Sequence, residues 1–309
     1  MKEVKAKIGA VLRELNKVIV GQEQVMKQII VAILCDANAL LESYPGLGKT
    51  TMIKTMADIM DLKYSRIQST PDLMPTDITG TYVLEESGGK RVFTFHKGPI
   101  FANVVLVDEI NRATPKTQSA LLEAMQEKQV TLGRNTFPLD LPFFVLATQN
   151  PIEQEGTYPL PEAQTDRFLL KIKVDYPHID DESLIVDRFT GKTQVQEVKK
   201  IFDSRTIQKF QIYTRQVPIA NDLKRYVLKI VNRTRTEKDI IEYGASPRAS
   251  MGIVMASKAN ALIEGRNYVS RKDIEEMAYP VLRHRLILNF EAERKGMDAD
   301  DAIKMLLKK

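Results

Sequence analysis

The chain has 309 residues, 43% hydrophobic and 28% charged, with a net charge of +5, a balance that fits a soluble protein of about two domains, each long enough to bury a core. Its single cysteine, Cys35, excludes an intramolecular disulfide, and its three scattered histidines do not suggest a metal centre. No apolar run reaches the ~18 residues of a membrane span, the Lys- and Glu-rich start has no apolar leader, and cations and acids are interspersed, so the expectation is a cytoplasmic protein with a solvated surface rather than a nucleic-acid footprint.

Apolar side chains at Val4, Ile8, Val11, Leu12, Leu15 and Val18 recur at helical spacing. The segment Val18-Ile19-Val20-Gly21-Gln22-Glu23 follows, ahead of a second helix over 22–36. It reads either as a wall for an adenine ring or as a packed strand–turn. Cys35 closes the apolar run that begins at Ile29 and reads as a packing residue. A strand over 39–43 then feeds Ser43-Tyr44-Pro45-Gly46-Leu47-Gly48-Lys49-Thr50, and a helical run from Thr51 to Met60 continues it. Strand, glycine loop and helix form the context of a phosphate-binding loop. Gly46 and Gly48 let backbone N–H groups turn inward around phosphate oxygens. A helix starting at Lys49 adds its positive end. Lys49 supplies a mobile charge for the outer phosphates, and the Thr50 hydroxyl a magnesium ligand. Ser43 stands where the G-x-x-x-x-G-K-[ST] pattern has its first glycine; a degenerate loop that does not hold nucleotide is the competing reading.

Lys63 to Ile67 predicts a short strand, and residues 69–78, with two prolines, a loop. Thr81–Leu84 and Arg91–Phe95 alternate apolar and polar residues around a glycine turn, so a hairpin projects here, as a contact element or as a surface insertion. Val104-Val105-Leu106-Val107 fits a strand buried on both faces. It ends in Asp108 and Glu109, at the strand end where ligands bind in such sheets. In that reading Asp108 holds magnesium and Glu109 orients and polarises the attacking water; the alternative is two surface acids. Pro115–Gln126 is a helix, and 129–140 a second hairpin around Gly133-Arg134-Asn135. The strand Phe143–Ala147 leads to Asn150. If that strand lies between those of the loop and of Asp108, Asn150 emerges beside the carboxylates, to hold the water or a γ-phosphate; otherwise it is a turn-forming Asn before Pro151.

Arg167 lies just before an edge strand, Leu169–Val174. It reads either as an arginine that reaches a neighbouring subunit's nucleotide or as a structural partner of Asp166. Tyr176-Pro177 and Asp180-Asp181-Glu182 mark a boundary, and helices follow over 181–190, 204–215, 219–235, 248–263, 270–287 and 298–308. Ser246 caps the fourth of these, with Pro247 at its first position. Arg248 then opposes the helix dipole, which suits contact with a phosphate from a lid; a salt bridge is the other use.

Six stretches in this order resemble the AAA+ ATPases, and among them the MoxR family, from about Val18 to Leu286. They are Ile19-Val20-Gly21-Gln22-Glu23, Pro45-Gly46-Leu47-Gly48-Lys49-Thr50, Asp108-Glu109-Ile110-Asn111-Arg112-Ala113, Ala147-Thr148-Gln149-Asn150-Pro151, Glu162-Ala163-Gln164-Thr165-Asp166-Arg167-Phe168 and Gly244-Ala245-Ser246-Pro247-Arg248-Ala249. The resemblance implies an α/β fold: a five-stranded parallel P-loop sheet sandwiched by helices over 1–178, then an all-α lid over 179–309. It makes Lys49 and Thr50 the Walker A pair, within a nucleotide-binding set of Val20, Gly21, Tyr44, Pro45, Gly46, Leu47, Gly48 and Thr51. Asp108 and Glu109 become Walker B, Asn150 sensor 1, Arg167 the arginine finger and Arg248 sensor 2. The hairpins match the helix-2 and pre-sensor-1 inserts. ATP with Mg2+, a ring that is often hexameric, a chaperone-like action on client proteins and a partner with a von Willebrand factor A-type domain are likewise implied. Ser43 and Thr165 depart from the family pattern, at the first loop glycine and at a leucine. A DNA-translocating motor and a catalytically weak scaffold are the alternatives; the hairpin tips offer little charge for the first, through Lys90, Arg91 and Arg134. No Asn-Lys-x-Asp motif supports a GTPase.

Overall fold

A computed structural model describes residues 2–87, 90–151, 157–191 and 197–308. Helices α1 (Lys2–Asn16) and α2 (Glu23–Leu34) precede strand β1 (Ala39–Ser43); α3 (Lys49–Ile59), β2 (Tyr64–Gln68) and the short α4 (Pro75–Thr79) follow. A hairpin of β3 (Gly80–Ser87) and β4 (Lys90–Lys97) leads to β5 (Val104–Asp108), a 3-10 turn at Ile110–Arg112 and α5 (Pro115–Glu127). A second hairpin, β6 (Gln129–Leu132) and β7 (Asn135–Pro138), precedes β8 (Phe144–Gln149), α6 (Glu162–Thr165) and β9 (Leu170–Val174). The remainder holds α7 (Ile179–Thr190), α8 (Ser204–Gln216), α9 (Asn221–Thr236), β10 (Ile241–Tyr243), α10 (Pro247–Ile263), α11 (Arg271–Leu282), β11 (Ile287–Leu288), α12 (Phe290–Arg294) and α13 (Ala299–Lys308).

Five strands pair in parallel in the order β2-β5-β8-β1-β9. The inner strands β5, β8 and β1 are short and apolar enough to be covered on both faces, and β5 is buried at every position, whereas the edge strand β2 buries only Ile67. Alternation splits the side chains between two cores. Leu41, Leu106, Leu146 and Ile172 join the core that includes α1, α2 and α3, whereas Leu40, Val105, Val107 and Val145 join the one that includes α5. At about 1.5–3 kcal/mol per buried aliphatic side chain, this double coverage fixes where each strand ends. β8 runs between β1 and β5, the strand order on which the expectation for Asn150 depends.

The glycine turn expected in the first hairpin lies outside the described residues, but its strands pair from Gly80–Lys97 outward. The two hairpins are joined side by side. Phe95 stacks on Phe137 with centroids 4.3 Å apart, and Asn135 Nδ2 donates to Tyr82 Oη at 2.6 Å. Beyond that clasp, Leu84 and Phe93 stand exposed.

Three expectations change. The loop over 69–78 contains α4. The C-terminal region is not helical throughout, because β10 and β11 form an antiparallel ribbon. The helix expected over 270–287 stops at Leu282. There Arg283, His284 and Arg285 leave the helix to bond Asp300, Phe168 and Asp166, and these tertiary bonds outweigh helix propensity.

Candidate functional site

The loop after β1 closes around positive-φ glycines, Gly46 at 83° and Gly48 at 70°. A Cβ added at either would meet nothing within 4 Å, so conformation rather than crowding selects glycine there. Lys49 opens α3 and folds back: its Nζ donates to the carbonyls of Tyr44 at 3.0 Å and Ser43 at 3.4 Å. Burial lowers its pKa below the ordinary lysine value, against the pull of the Asp108 and Glu109 charges. Thr50 and Thr51 occupy the same first turn. Ser43, the departure from the motif, is buried and donates its hydroxyl to the Tyr44 carbonyl, so the extra atoms are absorbed locally.

Asp108 is 6% exposed. Thr148 of β8 ties it to its neighbour: Thr148 Oγ1 accepts from the Glu109 N–H at 2.9 Å and donates to Asp108 Oδ1 at 3.3 Å. Glu109 has φ 53°, an uncommon left-handed conformation for a side-chain-bearing residue. It turns the chain out of the strand, and its carboxylate accepts from Arg112 Nη1 at 3.0 Å. Arg66 of β2 donates through Nε to Asp108 Oδ2 at 2.6 Å and through Nη2 to Gln68 at 2.7 Å. Sequence reasoning missed both arginines. Arg66 carried no signal, since a polar residue in a short strand is ordinary; Arg112 sits three residues after Glu109, where a turn brings side chains together.

A cleft of about 450 Å³ lies beside the loop. Val18, Ile19, Val20 and Gln22 form one wall, Pro45 to Gly48 with Thr51 the floor, and Tyr176, Pro177, Ile185 and Phe189 the far side. The segment over 18–20 is thus an apolar cleft wall and not a packed strand. Gly21, at φ 73°, admits α7 so closely that a Cβ would lie 2.6 Å from the Asp181 carboxylate. Tyr44, expected among the nucleotide contacts, is not one of the residues that line the cleft; it stacks on Tyr176 at 5.1 Å. Tyr176, Ile185 and Phe189 went unrecognised in the sequence because their apolar character looks like core packing.

Asp166 and Arg167 do not pair with each other. Arg167 Nη1 donates to Gln126 Oε1 at 2.7 Å. Asp166 instead accepts from Ser246 Oγ at 3.0 Å, Arg248 Nη1 at 3.4 Å and Arg285 Nε at 2.8 Å. Arg248 therefore uses its salt-bridge option in this structure. Arg285 spends all five guanidinium N–H groups: on that carboxylate and on the carbonyls of Asp166, Phe168, Leu169 and Val281. Next to it, burial and then the Arg285 charge hold His284 well below the usual histidine pKa, so the neutral ring donates Nε2–H to the Phe168 carbonyl at 3.0 Å. Asn150 lines a second cleft with Asn111, Glu42 and Lys171, on the face toward this clasp.

Known proteins resemble this chain along nearly its whole length. Chaperone MoxR1 of Mycobacterium tuberculosis is 45% identical over 90% of this chain and 75% of its own length. The chain belongs to the MoxR family of AAA+ ATPases. A MoxR-family sequence is expected to match the family model for the ATPase family associated with various cellular activities (AAA), and it does so over residues 38–170, with the AAA lid domain model matching 233–306. YeaC of Bacillus subtilis, an uncharacterised protein, is 38% identical over 97% of the chain and 93% of its own length. A crystal structure from Cytophaga hutchinsonii, of a protein named for an inferred ATPase activity, superposes with a TM-score of 0.92 at 43% identity, covering 99% of this chain and 95% of that one.

The residues of this MoxR-family chain fit a magnesium nucleotide. The space around Gly46 and Gly48 leaves room for an anion at the start of α3, and the apolar cleft beside the loop suits a flat base. Thr50 and Asp108 offer hard oxygen ligands. Among the described residues no group of three or more His, Cys, Asp or Glu could cage a metal. Among the same residues no helix is long and apolar enough to cross a membrane.

Proposed function

We propose that this chain binds ATP with Mg2+, hydrolyses it to ADP and phosphate, and uses the cycle to remodel partner proteins. One observation carries the reading. Lys49, Asp108, Glu109 and Thr148 come from three adjacent strand ends, with Lys49 in the field of both carboxylates and one hydroxyl tying the two acids.

Val20, Gly21, Pro45, Leu47 and Thr51 seat the base and the loop; Tyr44 sets the loop through its carbonyl and its stack on Tyr176. Gly46 and Gly48 offer N–H groups to the phosphates, and Lys49 leaves its carbonyl partners to meet them. Thr50 and Asp108 would hold the magnesium ion, whose charge neutralises phosphate oxygens when it is bound. Asp108 must then share or release Arg66. Glu109, freed from Arg112, orients and polarises the attacking water. Asn150 holds that water or the γ-phosphate. Arg167, released from Gln126, supplies a finger to a neighbour, and Arg248 reaches a phosphate from the lid.

The core over 1–178 and the lid over 179–309 would then act as the moving parts of a homo-hexameric ring in the cytoplasm. A chaperone-like role on a client, with a partner carrying a von Willebrand factor A-type domain, follows the family and the name of the mycobacterial relative. Glu109→Gln tests the chemistry. ATP affinity measured by equilibrium binding should change less than about threefold, while turnover falls by about a hundredfold or more. Undiminished turnover would remove Glu109 from its role.

A further inference from the structure

Charge is unevenly spread along the chain. Residues 204–238, which contain α8 and α9, hold nine Lys and Arg against two Asp and Glu, a surplus of seven; all 309 residues together carry +5, so the rest is slightly acidic. The surplus sits on outer faces. On α9, Asn221, Arg225, Leu228, Asn232 and Arg235 form one exposed stripe at helical steps, flanked by exposed Lys224 and Lys229, while Val227, Ile230 and Val231 are buried. On α8, Arg205, Lys209, Ile212 and Gln216 form a second exposed stripe. Both helices pack on α10, where Lys258 Nζ donates to the Arg215 carbonyl of α8 at 2.8 Å. The Lys258 pKa is lowered by burial and by the Lys224 charge, so cations gather at this junction. Among the described residues the only ion pair that involves α8 or α9 is Arg233–Glu237 at 3.2 Å. Unbalanced like charge opposes the compact state.

We propose that the outer face of α8 and α9 docks an acidic amphipathic segment of a partner protein. Charge complementarity supplies the attraction. Leu228, 57% exposed, and Ile212, 56% exposed, stand among the cations and supply apolar anchors, the i, i+3, i+4 contacts that an amphipathic helix makes. A nucleic-acid backbone has no use for those two side chains, and the aromatics that would stack bases are engaged. Arg271 covers the Tyr226 ring at 4.4 Å, and Tyr213 stacks on Phe210 under Lys209. The inner face of α9 belongs to the core, so the helix is not free to roll into a bilayer. This surface is independent of the nucleotide chemistry.

The test uses the full chain and fluorescence anisotropy. The probe is a labelled peptide with Glu and Leu at helical spacing; a labelled single-stranded oligonucleotide and phosphatidylserine vesicles are run beside it. The peptide should bind, and bind less tightly as salt is raised. Lys224→Glu, Arg225→Glu and Lys229→Glu together should weaken binding at least about tenfold, with circular dichroism unchanged. Leu228→Ser should weaken it several-fold while leaving the salt dependence as it was, a readout that stands even if the triple variant folds poorly. Absence of peptide binding, or indifference to Leu228→Ser, would overturn the proposal. So would oligonucleotide or vesicle binding that is tighter than peptide binding and blind to Leu228, which would make the patch a general polyanion surface.

Discussion

Each acid at the centre of the candidate site is held by an arginine to which the sequence had assigned no role. Asp108 is buried against Arg66, and Glu109 rests on Arg112. Removing Arg66 leaves a buried carboxylate without its cation. Arg66→Ala should therefore lower stability by about 1–2 kcal/mol, less than a fully buried pair would cost because Arg66 is half exposed. A magnesium nucleotide would take over that neutralising role, so the gap in melting temperature between variant and wild type should narrow when Mg-ATP is added. An unchanged gap would mean that Asp108 does not face the metal. At this scale the sequence was informative where backbone geometry and chemistry coincide: the glycine loop, Lys49 and the acid pair were all readable. Arg66 and Arg285 were not, because their partners lie 42 and 119 residues away, and no local pattern encodes such a meeting.

Among the elements, α11 depends most on one buried acid. Ser270 caps it in a reciprocal box with Asp273, and Arg266 donates to both Asp273 oxygens at 2.5 Å. Burial works to raise the Asp273 pKa, but the Arg266 guanidinium and the Ser270 donors outweigh it and hold it below the ordinary value. The stabilisation it contributes is therefore present above the ordinary carboxylate pKa of ~3.9 and is lost as pH falls through the lower folded value. Asp273→Asn should cost about 2–4 kcal/mol in urea unfolding near neutral pH. It should also flatten the fall in stability between about pH 5 and pH 2. An equally steep acid limb in the variant would assign that limb to other carboxylates. The helix and strand periods gave most element positions to within a few residues. The ribbon of β10 and β11 escaped notice: three residues pair with two, too few to show alternation.

Across the whole molecule, the tripeptide Arg283-His284-Arg285 fastens the lid to the strand end that carries Arg167. Arg283 bonds Asp300 and the Lys171 carbonyl, His284 the Phe168 carbonyl, and Arg285 the backbone from Asp166 to Leu169. The lid and the segment that carries Arg167, the proposed finger, are thus held by one joint. The order of the six motifs foretold the fold and the family; the joint required coordinates. The central claim is that a complete site needs Lys49, Asp108 and Glu109 from one subunit and Arg167 from its neighbour. Mixing Glu109→Gln subunits with Arg167→Ala subunits tests it directly. Each preparation alone should be nearly inactive. In mixed rings an Arg167→Ala subunit with an intact Glu109 will sit beside an intact Arg167, and ATP turnover should reappear in proportion to those contacts. Co-assembled subunits that remain at background, or Arg167→Ala rings as active as wild type, would contradict the account.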